Sequence, residues 1–281
     1  MNEKLKLGSM NRLKIDRESD HGLYLVTNNG EEDVLLPGIY ITKDMHLDDK
    51  IDVFIYTDSE DRIVATTKKP KAMLGEFGLF KVVDETPFGV FVDWGLPKDL
   101  FVPKSVQKTP YIVGRKYILR VAYDAKTDRL FGDSRIGRYL ENDPKTMKDI
   151  KVADIFIIAK TPLGYKVIAD NRYEGMIFKD EIFEDIKIGD YKKGYIKNVR
   201  DDGKFDISLQ PIGKEKDELL SQKIIAILST DKHLPYNYKS NADEIKKVFG
   251  LSKKNFKKAL TKLQNDDIIT VDASGIKLKA T

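Results

Sequence analysis

Through the first 210 residues, hydrophobic and polar positions alternate in short runs, and turn-forming residues separate the runs. The pattern is clearest in the middle of this region, where Gly, Pro, Asp and Asn bound each run. It predicts five strands there, at residues 81–83, 89–93, 100–102, 117–121 and 129–131. Short strands at this spacing favour a closed barrel or a sandwich over a parallel sheet.

The same arrangement occurs three times along the chain. Each copy, called a repeat below, has a glycine inside a strand-like alternation: Gly22, Gly89 and Gly164, which lie 67 and 75 residues apart. This period is too long for a solenoid and suits a small domain. Five strands in about 70 residues is the size of an OB barrel, and a glycine within a strand allows the bend that a small barrel requires. We therefore expect three tandem five-stranded barrels.

From residue 218 onward the hydrophobic spacing becomes helical, with a first stripe at Leu219, Leu220, Ile224, Ile227 and Leu228. A loop is expected at 233–239. Asn241 and Ser252 are N-cap residues that predict helices ending at Phe249 and near Asn265, and Gly250 lies at the turn between them. Hydrophobic runs at 268–271 and 276–278 predict a β-hairpin. The tail is therefore expected to be a helix-turn-helix with a wing.

The last predicted helix has two distinct faces at 100° per residue. Its apolar face consists of Phe256, Ala259, Leu260 and Leu263, and its other face carries Lys253, Lys254, Lys257, Lys258 and Lys262. Lysines meet phosphates as point charges without reading sequence, although a merely solvated face remains an alternative. The tail contains no Arg, so bidentate guanine recognition of the usual kind is absent, which argues against a sequence-specific DNA repressor.

The segment 86–95 of the second repeat, with Phe88, Gly89 and Phe91, resembles the FGAFV signature of S1-type RNA-binding domains. The whole chain, with three such repeats and a basic helical tail, is similar to the conserved virulence factor B family of Firmicute bacteria. Segments typical of that family lie at 34–37, 58–67 and 249–254. This resemblance implies three S1-type OB barrels, a winged helix, RNA binding and no catalytic residues.

The fold expected is thus mainly β with a small α+β tail. The predicted domains are a first S1-like OB domain at 1–70, a second at 71–140, a third at 148–212 and a winged-helix domain at 215–281.

The resemblance also implies binding residues, foremost in the second repeat. There Phe88 and Phe91 occupy the two ring positions that such domains turn toward RNA, with Gly89 as the expected bend. Arg129 holds the basic position, Asp124 lies near the acidic one, and Lys104 adds phosphate charge. Val102 stands where a histidine is usual. The competing interpretation is that both rings fill the barrel core; Trp94 is assigned to packing.

The other two repeats depart further from the signature. In the first, His21 and Tyr24 take the ring positions, Arg62 is basic, Asp58 is acidic and Leu36 replaces the histidine. In the third, Leu163 and Lys166 take the ring positions, Phe178 replaces the histidine, Lys204 is basic and Arg200 stands in the acidic position. We rank RNA contact in the order second, third and first repeat.

Charge supports this ranking. Residues 1–71 contain 11 Lys and Arg against 14 Asp and Glu, whereas residues 72–140 contain 11 against 8 and residues 214–281 contain 14 against 9. An acidic first repeat opposes a polyanion, while a basic middle and tail favour one.

Composition excludes several classes of function. The chain has no cysteine, which removes disulfides, thiolate metal sites and a cysteine nucleophile, and its three histidines show no zinc or triad spacing. Phosphate-loop and Rossmann glycine motifs are absent, as are a secretory signal and a run long enough to span a membrane. We expect a cytoplasmic non-enzyme without cofactor, metal or membrane partner.

Two functions remain open. The first is RNA binding in post-transcriptional regulation, related to virulence by the family resemblance, through OB aromatics and the basic winged helix. The second is an adaptor whose degenerate barrels bind protein and whose winged helix docks on DNA or on a partner protein.

Overall fold

The structure is a computed structural model that describes residues 4–182, 184–212 and 214–279. The outer ends of the first and last predicted domains therefore lie outside the described residues. The chain divides into two compact halves, residues 1–140 and 141–281. Each half contains β repeats, and each is described by itself.

The N-terminal half holds the first two repeats. The strands of the first are β1 (Met10–Ser19), β2 (Gly22–Val26), β3 (Asp33–Pro37), β4 (Lys50–Thr57) and β5 (Ile63–Thr66). Those of the second are β6 (Phe77–Thr86), β7 (Gly89–Asp93), β8 (Leu100–Pro103), β9 (Lys116–Asp124) and β10 (Arg129–Asp133). All five strands predicted in the second repeat are present, and most are longer than predicted.

The two repeats share one strand order but differ in closure. The first is a closed barrel in which β3 and β5 meet in parallel through the pair Leu35 and Val64. The second is a five-stranded sheet, β10-β9-β6-β7-β8, whose two edge strands, β10 and β8, are not hydrogen-bonded to each other. These edges still lie side by side, because a Cβ on Gly132 of β10 would be 2.9 Å from Val102 Cγ2 of β8. A closed barrel is thus confirmed for the first repeat, and in the second the same strand order brings the edge strands side by side without hydrogen bonds that close the sheet.

The repeated glycine begins the second strand of each repeat for a steric reason. A Cβ on Gly22, Gly89 or Gly164 would overlap the carbonyl oxygen of the partner strand, so the strands approach this closely only at glycine. The first strand of every repeat also has a register shift, in the second repeat between Val82 and Asp84, which is typical of a β-bulge. The expectation that Gly89 supplies the bend between Phe88 and Phe91 stays a prediction.

One hydrophobic cluster spans both of the first two repeats, beside a separate core within the first. Phe54 of β4 is fully buried and meets the ring of Trp94 edge-on at 5.6 Å, and the indole Nε1–H of Trp94 donates to the Ala72 carbonyl oxygen at 2.7 Å. Tyr56 and Val64 of the first repeat belong to the same buried cluster. The assignment of Trp94 to packing is confirmed, and its packing partner is the neighbouring repeat.

The C-terminal half begins with a short helix, α1 (Pro144–Met147), capped by Asp143. The third repeat follows with β11 (Val152–Thr161), β12 (Gly164–Ala169), β13 (Tyr173–Phe178), β14 (Tyr191–Val199) and β15 (Phe205–Ser208). These strands form a closed barrel in which β13 and β15 are parallel. The predicted barrel is confirmed here.

The tail packs three helices against a three-stranded sheet. Its elements are α2 (Lys214–Thr230), β16 (His233–Leu234), α3 (Ala242–Phe249), α4 (Lys253–Asn265), β17 (Ile269–Asp272) and β18 (Gly275–Leu278). Asn241 and Ser252 cap α3 and α4 through their side chains, and Gly250 ends α3 in the left-handed conformation, as predicted. The expected loop at 233–239 begins instead with β16, which pairs with β18 and extends the predicted hairpin to three strands.

Candidate nucleic-acid interface

Phe88 lies in the turn between β6 and β7 with its side chain in solvent, 80% exposed. Two hydrogen bonds fix the backbone at Phe88. Its N–H donates to Thr86 Oγ1 at 3.3 Å, and the Lys104 N–H donates to its carbonyl oxygen at 2.9 Å. The turn therefore presents a phenyl ring whose faces are open to a flat ligand.

Phe91 and Phe101 form a pair of rings on the outer face of the second repeat. They face each other across β7 and β8, with ring centroids 5.2 Å apart and planes inclined at 48°. Both are half-buried, while the alternate residues Val90, Val92 and Val102 point into the core. The structure thus places Phe88 and Phe91 at the surface rather than in the core; that they contact RNA stays a prediction. We call Phe88, Phe91 and Phe101 the aromatic face.

Lys104 is linked to the Phe88 turn through the backbone. It begins the turn that follows β8, and its backbone N–H carries the hydrogen bond to Phe88. Its side chain is exposed and makes no ion pair with any carboxylate of the residues that the structure describes. A lysine without a carboxylate partner on the segment that bonds the Phe88 turn can meet the phosphates of a single-stranded nucleic acid whose bases stack on exposed rings.

Arg129, the predicted basic residue, is paired instead with a carboxylate of the first repeat. Its guanidinium donates to Asp61, which also accepts from Lys98 Nζ at 2.8 Å. The hydrogen bond from Lys98 is the main reason that the pKa of Asp61 is lowered; burial opposes it, and the charges of Lys98 and Arg129 lower the pKa further. Arg129 therefore has a protein partner at the position where the resemblance implies a phosphate.

Asp124 serves the turn between β9 and β10. Its carboxylate accepts from the Lys126 N–H at 3.0 Å and from Thr127 Oγ1 at 2.9 Å. The backbone hydrogen bond from Lys126 is the main reason that the pKa of Asp124 is lowered. Both oxygens thus have partners within the turn, and the structure assigns Asp124 to turn geometry.

The histidine position was placed one residue too early in the first two repeats. Val102 and Leu36 are fully buried and point into the core. Strand register pairs Gly89 with Pro103 and Gly22 with Pro37, just as Gly164 pairs with Phe178. The residues equivalent to Phe178 are therefore prolines, because a one-residue shift on a strand reverses the side-chain direction.

The first repeat presents less to a nucleic acid. His21 is exposed in its turn, but the ring of Tyr24 is covered by the Arg17 guanidinium at 4.0 Å from its centroid. Arg62 donates to Asp58 at 2.7 Å and lies 2.9 Å from Glu60. The Tyr24 ring and the Arg62 guanidinium therefore both have partners within the protein.

The third repeat pairs each of its predicted cations. Arg200 lies 5.5 Å from the Phe178 ring centroid and is held by Asp206 at 2.6 Å. Lys166 is 3.7 Å from Glu174, and Lys204 is 3.2 Å from Asp202. Leu163, exposed at the position of Phe88, supplies no ring.

Helix α4 has the two faces expected. Phe256, Ala259, Leu260 and Leu263 are buried, whereas Lys254, Lys257 and Lys258 are exposed and Lys253 and Lys262 are half-buried. The lysines differ in their partners, since Lys258 is paired with Asp217 at 2.8 Å and Lys253 donates to the Lys239 carbonyl oxygen at 3.4 Å. Lys254 and Lys257 have no carboxylate partner among the described residues. These two ammonium groups are the ones most available to phosphates.

Comparison with known proteins supports this architecture at both ends of the chain. Residues 7–68 match the S1 domain family, and residues 222–278 match the CvfB-like winged helix domain family.

Relatives of similar length match along most of the chain. The uncharacterized protein YitL of Bacillus subtilis is 28% identical over 281 residues, covering 94% of this chain and 91% of that protein. Conserved virulence factor B of Staphylococcus epidermidis is 24% identical and covers 91% of this chain and 89% of its own length. This chain is therefore similar to the conserved virulence factor B proteins along most of its length.

A solved structure covers the chain as well. A Streptococcus pneumoniae protein described as a multidomain protein with nucleic acid binding domains is 25% identical, covers 97% of this chain and 98% of its own, and superposes with a TM-score of 0.41.

The domain content is typical of nucleic-acid-binding proteins rather than enzymes. Within the described ranges, no helix is long and apolar enough to cross a membrane.

Phe101 is the member of the aromatic face that sequence reasoning missed. It lies between Leu100 and Val102, both buried, so alternation alone places its side chain outward. The signal was present, but it was read only for the residues that match the S1 signature.

Proposed function

We propose that this protein binds single-stranded or unpaired RNA and acts in post-transcriptional regulation, with the second repeat as the main contact to the bases. The observation that carries the proposal is the aromatic face, with Phe88 80% exposed and its carbonyl oxygen bonded to the backbone of Lys104, a lysine with no carboxylate partner among the described residues. Aromatic platforms require bases that are free of a duplex, because paired bases offer no face for stacking. The name of the staphylococcal relatives, conserved virulence factor B, supports a link to virulence.

Helix α4 and the third repeat add phosphate contacts in this proposal. Lysines fit phosphates without selecting bases, and the tail has no Arg for direct guanine recognition. Among its predicted binding residues, the third repeat offers the half-buried ring of Phe178, beside cations that already have carboxylate partners. We therefore keep the order second, third and first repeat for RNA contact.

A titration of the whole chain tests this proposal. Fluorescence anisotropy with a short RNA, the DNA of the same sequence and an RNA duplex, each at several salt concentrations, measures affinity and its salt dependence. We expect single-stranded RNA to bind more tightly than the duplex. The logarithm of its affinity should fall linearly with the logarithm of the salt concentration. Equal binding of strand and duplex would contradict base stacking, and the absence of RNA binding would favour the adaptor function.

Replacing Lys254 and Lys257 by Gln should weaken binding of all sequences alike. If both lysines meet phosphates, the slope of log affinity against log salt becomes shallower by about 1.4, or about 0.7 per contact to a single strand. Lys145→Gln with Lys148→Gln is the matched control, since it removes the same charge from two exposed lysines near α1. An equal change of slope in both double variants would mean that only net charge matters.

A further inference from the structure

Asp61, a residue of the first repeat, accepts hydrogen bonds from two cations of the second repeat. Asp61 lies in the turn between β4 and β5, and each of its oxygens accepts from a different partner, Lys98 on Oδ1 and Arg129 on Oδ2. Lys98 is anchored further, because its Nζ also donates to the Asp58 carbonyl oxygen at 2.7 Å and to Thr57 Oγ1 at 3.2 Å. Among the described residues, Arg129 has a single side-chain contact of this kind, and its side chain is 60% exposed. Of the two cations, Arg129 is the one free to change partners.

The turn that carries Asp61 is held in shape by its own residues. The Asp58 carboxylate accepts from the Glu60 N–H at 2.9 Å and from the Arg62 N–H at 3.0 Å. Asp61 itself has a φ of 62°, a left-handed conformation that Asp tolerates better than most residues. The carboxylate is thus presented to the second repeat by a preformed turn.

Strand directions place this contact at one end of the aromatic face. The order β10-β9-β6-β7-β8 joins neighbours that are all antiparallel, so the edge strands β8 and β10 run the same way. Lys98 precedes β8 and Arg129 begins β10, which places both at the same end. Phe101 lies further along β8, and Pro103, the partner of Gly89, lies beyond it toward the Phe88 turn. Asp61 therefore lies where an RNA strand whose bases stack on the aromatic face would place the phosphates that follow the stacked bases.

We propose that Asp61 is an internal competitor for a phosphate of the bound strand, so that the first repeat sets the affinity and the salt dependence of the second. This inference rests on the RNA binding proposed above. A carboxylate and a phosphate both accept hydrogen bonds from a guanidinium, and a strand that arrives can therefore replace Asp61 on Arg129. An ion pair this exposed contributes little stability in water, so the exchange is inexpensive.

The test is Asp61→Asn in the whole chain, titrated with the same RNA. Freed from its carboxylate, Arg129 should tighten binding about two- to fivefold, the range that an exposed ion pair represents. The slope against log salt should become steeper by about 0.7, for one added phosphate contact. Asp128→Asn is the matched control: it removes an equal charge beside Arg129, but its carboxylate accepts from the Tyr123 hydroxyl.

The same substitution in a chain that lacks Arg129 separates an effect through Arg129 from an effect of net charge. In an Arg129→Gln chain, Asp61→Asn should no longer tighten binding or change the slope. The proposal is supported if the gain exceeds that of Asp128→Asn and disappears without Arg129. A gain equal to that of the control, a gain that persists in the Arg129→Gln chain, or no gain in a chain with unchanged melting temperature would overturn it.

The outcome also separates this inference from the proposed function. Binding that depends on Phe88 but is indifferent to Asp61 would refute only the competitor role. A wild-type chain that binds no RNA would refute both.

Discussion

Replacing both Phe88 and Phe91 by alanine will remove most of the affinity for single-stranded RNA. Each ring that stacks on a base contributes about 1–3 kcal/mol, so the double variant should lose about 2–6 kcal/mol of binding free energy. Phe88→Ala alone should account for a large part of this loss, because its ring is 80% exposed and has the most open faces. Anisotropy titrations of the single and double variants measure these differences.

The same variants should remain folded. Substitution of an exposed residue usually changes stability by less than about 0.5 kcal/mol, and Phe91 forfeits one half-buried ring contact with Phe101, on the order of 1 kcal/mol. Ile39→Ala is the matched control, since Ile39 is 85% exposed in the first repeat and carries no ring. Phe88→Tyr should keep most of the affinity. If the double variant melted early while its folded fraction bound RNA normally, the rings would be structural.

Replacing Trp94 by alanine will destabilise the first two repeats together. The indole is 3% exposed and packs against Phe54 of the first repeat. Removing such a side chain costs about 3–5 kcal/mol through lost burial and the cavity that remains. The Ala72 carbonyl oxygen would also lose its hydrogen bond from the indole nitrogen. Chemical denaturation followed by circular dichroism measures the loss, and Trp94→Phe, which keeps an aromatic ring but no donor, should cost less.

Hydrogen exchange shows whether the shared core couples the two repeats. In Trp94→Ala, protection should fall for the amides of β4, such as Val53 and Ile55, as well as for those of the second repeat. Protection of β4 that stayed at the wild-type value while β6–β10 opened would contradict a common core. The coupling matters for function because it holds Asp61 against Arg129.

Local pattern was sufficient for most of the elements. Side-chain alternation repeats every two residues in a strand and every 3.6 in a helix, and N-cap and turn residues act within a few positions. This is why the strands of the second repeat, the caps at Asn241 and Ser252, and the two faces of α4 could be predicted from sequence. The buried Val102 shows the limit, since a shift of one residue reverses the side-chain direction.

Contacts between repeats could not be predicted in this way. Asp61 and Arg129 are separated by 68 residues, and nothing in the local pattern of either strand specifies the other as its partner. The same applies to Trp94, which sequence assigned to packing without indicating that Phe54 is its neighbour. The missing hydrogen bonds between the edge strands β8 and β10 are a further case, since the first repeat has the paired Leu35 and Val64 at the corresponding place. Which cations are available to a phosphate depends on these long-range contacts.

The most direct test of base stacking on the second repeat follows the NMR signals of the phenylalanine rings during an RNA titration. With the whole chain selectively labelled at phenylalanine, a short single-stranded RNA should shift the ring signals of Phe88 and Phe91 through the ring currents of stacked bases. The fully buried rings of Phe54, Phe77 and Phe80 should keep their positions and serve as the internal reference. Shifts confined to other parts of the protein, with Phe88 and Phe91 unmoved at saturating RNA, would contradict the account.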